Sequence, residues 1–132
     1  MIAVDASVLV AFLSRENAHH QAALELLAAG ASIRIHPVNL AESLVGSVRK
    51  NRGTQALARL RNVGVEEVGR LPDEAMRLAE LRASSGLKLP NCCALLVAEA
   101  LDHSLATFDE RLARVARSRG VDVVGGTSDG GR

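Results

Sequence analysis

Five short apolar runs alternate along this chain with segments of helical period, and that alternation limits the fold more than any other feature. The runs are MIAVD at the N-terminus, SIRIH at 32–36, VGVEEVG at 63–69, SLATF at 104–108 and VDVV at 121–124. Each has room for a short strand only. Between them lie longer patterned stretches. Residues 16–29 carry Ala23, Leu24, Leu27 and Ala28 as one stripe, stopped by Gly30. Pro37 opens a helix with Leu40, Leu44, Val45 and Val48 at helical spacing, and another helix fits 54–61. Pro72 opens the next, with Asp73 and Glu74 in its first turn and Gly86 as its stop. Residues 91–102 are apolar on nearly every side, so this helix is expected at the centre, and 110–118 form the last. Strands alternating with helices predict an α/β fold. The expected architecture is a central, mostly parallel sheet of four to five strands flanked by helices on both faces (α/β/α). One domain is expected over residues 1–124, with GGTSDGGR at 125–132 as a flexible tail.

Composition narrows the function classes. Apolar residues make up 48% of 132, which excludes disorder over most of the length. No apolar run nears the roughly 18 residues that span a membrane. The N-terminus has no basic leader and carries Asp5 inside its apolar run, so it reads as structure and the expected compartment is the cytoplasm. Cys92 and Cys93 are adjacent, a spacing that fits buried core residues and neither a zinc knuckle nor a redox pair. The four histidines show no metal-ligand spacing, and His19 and His20 read as surface residues. Net charge is +1, but Arg49, Lys50, Arg52, Arg59 and Arg61 fall together, as do Arg111, Arg114, Arg117 and Arg119. Such stretches are first of all solvated faces; phosphate contact is the alternative.

In an open α/β sheet, ligands collect at the carboxyl ends of the strands. Asp5 closes the first run, Asp109 follows the fourth, and Glu42 lies early in the helix after the second. Asn91 begins a helix that can open toward the same edge, where it serves as a good N-cap. Taken singly, Asp5 and Asp109 also read as N-caps. Three acids converging on one edge weaken that reading, because close carboxylates repel unless a cation lies among them. Oxygen ligands without His or Cys suit Mg²⁺ or Mn²⁺, and such ions serve phosphodiester hydrolysis.

Four blocks carry a resemblance to a known family: VDASVLVAFL, NLAES, LPNCCALLVAEAL and LATFDERLARVA. Together they resemble the PIN domain, in particular VapC-type toxins of bacterial toxin–antitoxin modules, over about residues 1–124. The resemblance implies a metal-dependent endoribonuclease whose acidic cluster holds Mg²⁺ or Mn²⁺. Carried over, that cluster is Asp5, Glu42, position 91 and Asp109, with Ser7 and Thr107 as supporting hydroxyls. It also implies a homodimer, a VapB-type antitoxin, and an RNA substrate that could be structured, such as tRNA. Arg49, Lys50, Arg52, Arg114 and Arg117 are the candidate RNA contacts. The chain departs from the pattern at Asn91, where the family resembles LPDCC with an aspartate. An amide keeps an oxygen donor but removes one charge, so weakened activity is expected. A catalytically inactive PIN domain that binds RNA or antitoxin without cutting is the alternative. With no Trp or Tyr, and Phe12 and Phe108 in apolar runs, both Phe are expected in the core and no base-stacking platform is expected. A groove between the helices at 16–29 and 37–61 is the candidate antitoxin surface.

Overall fold

The computed structural model describes residues 1–30 and 32–125. Of the tail expected at 125–132, residues 126–132 lie outside the described residues. The elements run β1 (Ile2–Val4), α1 (Ala6–Leu13), α2 (His20–Ala28), β2 (Ile33–Ile35), α3 (Pro37–Arg49), α4 (Gly53–Asn62), β3 (Val65–Glu67), α5 (Glu74–Ser85), α6 (Leu89–Ala100), β4 (Ser104–Ala106), α7 (Glu110–Ser118) and β5 (Val123–Val124). The strands form one sheet in the order β3-β2-β1-β4-β5, and every pair is parallel. Each strand is two or three residues long, and successive strands are joined by helices because parallel neighbours cannot be connected by a tight turn.

Two cores cover the two faces of the sheet. Successive strand residues point to opposite faces, so Ala3 and Leu105 join one core while Val4 and Ala106 join the other. The first core is completed by α5, α6 and α7; the second by α1, α2, α3 and α4. Helix α6 packs against β1, β2 and β4 and against α3, α5 and α7. Burial from several directions explains why its residues Cys92–Ala98 are all buried and carry no polar stripe.

Three helix starts differ from the sequence expectation. The helix expected from residue 16 begins at His20, because the Asn17 side chain accepts from the His19 N–H at 2.8 Å and closes a local turn instead. Asp73 adopts a left-handed conformation (φ 54°), so α5 starts at Glu74. The Glu74 carboxylate then accepts from the Leu71 N–H at 2.9 Å and pairs with His36 Nε2 at 2.8 Å. Helix α6 begins at Leu89, with Lys88 at the cap position. Asn91 is therefore inside the first helical turn and is not the N-cap. Pro90 tolerates this early position because a first-turn residue needs no N–H partner.

Candidate active site at the carboxyl edge of the sheet

The strand order creates a crevice. From β1 the chain turns toward β2, and from β4 it turns the other way, toward β5. Helices therefore diverge on either side of the adjacent carboxyl ends of β1 and β4, the place where open α/β sheets bind ligands. Asp5 directly follows β1, and Thr107, Phe108 and Asp109 directly follow β4.

A dense hydrogen-bond network ties these two strand ends together. Asp5 Oδ1 accepts from Ser7 Oγ at 2.6 Å and from the Val8 N–H at 3.3 Å. Asp5 Oδ2 accepts from Thr107 Oγ1 at 2.5 Å. Both hydroxyls also accept: Thr107 Oγ1 from the Asp109 N–H and Ser7 Oγ from the Phe108 N–H, each at 2.9 Å. Asp109 Oδ1 in turn accepts from the Leu112 N–H at 2.9 Å. Both aspartates thus are N-caps, of α1 and α7. Capping alone does not account for Asp5, which is 3% exposed. Burial pushes its carboxyl above the ordinary value; bonds from Ser7, Thr107 and Val8 oppose the shift, and the nearby charge of Asp109 adds to it.

Asp109, Ser7 and Glu42 line one open cavity of about 480 Å³, together with Asn17, His19 and Phe108. Glu42 is exposed on α3. Among the described residues, no three His, Cys, Asp or Glu side chains gather closely enough to hold a metal ion. Asn91 is half-exposed and does not line this cavity. Its neighbour Pro90 accepts from Asn39 Nδ2 at 2.9 Å, which pins the first turn of α6 to α3 one turn before Glu42. The donor chemistry fits a hard divalent cation at the aspartate pair: all-oxygen groups, one of them a carboxylate held in a buried place beside a second negative charge. An ionised carboxylate offers about four acceptor positions, and Asp5 fills three with protein donors.

The PIN domain family model matches residues 2–118. The chain belongs to the PIN domain family. No curated protein matches the sequence. Among solved structures, VapC20 of Mycobacterium tuberculosis, a sarcin–ricin-loop-cleaving toxin, is similar at TM-score 0.74 and 17% identity, over 87% of this chain and 95% of that one. A toxin–antitoxin complex from Klebsiella pneumoniae is similar at 0.68 and 22%, over 86% and 90%. VapBC2 of Rickettsia felis, solved with a DNA fragment from its promoter, is similar at 0.67 and 19%, over 94% and 98%. The fold is thus that of the VapC toxins.

A second cavity of this PIN domain, about 570 Å³, opens between α1, α3 and α4. Glu42 and Val10 border both cavities. Of the basic residues named from sequence, Lys50, Arg52 and Arg59 line the second cavity. Arg49 lies exposed at the end of α3, and Arg114 and Arg117 lie exposed on α7; none of these three lines either cavity. The wall of the second cavity opposite α3 and α4 is α1, not the helix at 16–29. Val38, Val45 and Val48 of α3 are 42%, 43% and 59% exposed. Phe12 is in the core as expected, but Phe108 is half-buried at the first cavity and stacks on His19 with ring centroids 4.4 Å apart. His19 is therefore a site-wall residue, which its sequence position did not signal. His36 was missed as well: it is 5% exposed, and its Nδ1 accepts from the Val38 N–H at 3.0 Å to cap α3, leaving the proton on Nε2 for Glu74.

Proposed function

We propose that this PIN domain is the toxin of a VapBC-type toxin–antitoxin pair, and that it is an endoribonuclease dependent on Mg²⁺ or Mn²⁺. The observation that carries the reading is Asp5: a buried carboxylate at the sheet's switch point, held by the Ser7 and Thr107 hydroxyls within reach of the charge of Asp109. Family membership supports a nuclease, and the solved relatives are a loop-cleaving toxin and two toxin–antitoxin assemblies.

Asp5 and Asp109 would hold the metal, with Glu42 across the cavity and Asn91 as a neutral oxygen donor at the edge. When bound there, a divalent ion would supply Lewis-acid activation of water and charge compensation at the scissile phosphate. Ser7 and Thr107 fix both oxygens of Asp5, so that no rotation of the carboxylate is needed during turnover. Glu42, on the cavity wall, would orient the attacking water. Lys50 and Arg52 would meet the RNA backbone, while Arg49, Arg114 and Arg117 are exposed outside both cavities and would contact the RNA only beyond them. The cellular setting is the cytoplasm, the partners are a VapB-type antitoxin and a second copy of the chain, and the substrate is an RNA, with folded tRNA as the first candidate.

Asn91 favours one second reading, a PIN domain that binds RNA or antitoxin without cutting. An RNA-cleavage assay in Mg²⁺ and Mn²⁺ separates the two, with Asp5→Ala as the control for contaminating nuclease. Cleavage that needs metal and vanishes in Asp5→Ala is expected. RNA binding with no cleavage by the native chain would establish the second reading.

A further inference from the structure

We propose that the cavity between α1, α3 and α4 is the cradle for the RNA strand leaving the acidic site, with Arg59 as its main phosphate contact. This rests on the ribonuclease reading and adds to it the place and residues of strand binding. Lys50, Arg52 and Arg59 line the cavity, with Gln55 beside them. Among the described residues, none of these three cations makes an ion pair or a side-chain hydrogen bond. Unpaired cations converging on one concavity attract an anion, and the cavity meets the acidic site at Glu42 and Val10. A polyanion whose reacting phosphate lies at the aspartates therefore continues naturally into it.

Two further features single out Arg59 and the cavity floor. The Arg59 guanidinium lies 5.2 Å from the centroid of the buried Phe12 ring. That contact immobilises the planar fork while leaving its N–H groups for a phosphate. Gly46 lines the cavity from the middle of α3, and a Cβ built there would meet nothing within 4 Å. A glycine inside a helix costs roughly 0.5–1 kcal/mol relative to alanine. Its space and normal helical backbone give no folding reason for it, whereas close approach of a ligand to the α3 backbone does. The cavity thus combines fixed charge with a bare helix surface.

The test is equilibrium binding of the full chain to bulk tRNA and to a fluorescent single-stranded RNA in EDTA, where nothing is cut. Arg59→Met, which keeps an apolar chain on Phe12, should weaken binding about tenfold and flatten the log–log salt slope by about 0.7. Gly46→Leu should weaken binding similarly without lowering Tm, which separates a blocked cavity from a damaged fold. Arg77→Gln, on α5, should bind like the native chain. RNA binding that is unchanged in both Arg59→Met and Gly46→Leu overturns the cradle while leaving the nuclease reading intact. Competition by poly-glutamate but not by RNA overturns it in favour of an acidic protein segment. A native chain that neither binds nor cuts RNA overturns both.

Discussion

The two cavities that meet at Glu42 are built by different means. In the acidic one, backbone fixes the chemistry. Asp5 and Asp109 are the residues at which β1 and β4 give way to helices, and each is anchored by the cap of the helix it starts. In the basic one, Lys50 and Arg52 sit in the short turn between α3 and α4, and Arg59 joins them from two turns into α4. The first holds one buried carboxylate rigidly at a strand end, suited to reacting atoms; the second is a concavity lined by unpaired cations, suited to a long flexible ligand. Perturbing the first should therefore change turnover steeply, and perturbing the second should change binding gradually.

The largest separable effect is expected at Asp109. Asp109→Ala should lower RNA cleavage by about 10²-fold or more and also remove the α7 cap, at a stability cost of about 1 kcal/mol. Asp109→Asn keeps a capping oxygen, so thermal unfolding should return to near the native Tm while cleavage stays low. Recovery of both together would mean that the residue only caps. Next comes Ser7→Ala, which removes the shorter of the two bonds to Asp5 Oδ1 and strips an acceptor from the Phe108 N–H. A fall of about 10–100-fold in cleavage is expected, read as kcat at saturating metal.

The same contrast explains what was legible beforehand. The alternating runs pointed to a mostly parallel sheet, which is parallel throughout, and the strand-ending acids pointed to Asp5 and Asp109, because strand ends and caps are local in sequence; Ser7 and Thr107 came only with the family resemblance. Residues brought together by packing were not legible. His19 reaches the cavity by stacking on Phe108, some 90 positions away in the chain by their numbers alone. His36 meets Glu74 across 38 positions, and Arg59 meets Phe12 across a helix interface. Asn91 shows the middle case: its motif was readable, but its placement inside the first turn of α6 depended on where that helix starts.

Smaller effects sharpen the account of burial. The unfolded chain releases the Asp5 proton near the ordinary 3.8, whereas the folded chain keeps it to a higher pH. Between those values the folded state binds more protons, so stability falls as pH rises. Asp5→Asn lacks this penalty, and its Tm advantage over the native chain should grow with pH through that window and then level off. A gap that shrinks with rising pH would show the carboxylate to be stabilised by its bonds more than it is destabilised by burial. The smallest effect concerns Cys93, whose thiol is pushed up to about 11, chiefly by burial and further by Glu74, Cys92 and Glu42. At pH 8 a thiol reagent should label it only as fast as the protein unfolds.

The most direct test crosses the two residues on which the account turns. Metal-dependent RNA cleavage is measured for the native chain, Asp5→Asn, Asn91→Asp and the double variant. Asn91→Asp restores a charged ligand and should raise cleavage on the order of tenfold, in line with the dependence of metal affinity on ligand charge. Asp5→Asn should abolish cleavage in both backgrounds while leaving the protein folded. Cleavage by Asp5→Asn at the native rate, or by Asn91→Asp no faster than the native chain, would contradict a site built from these four positions.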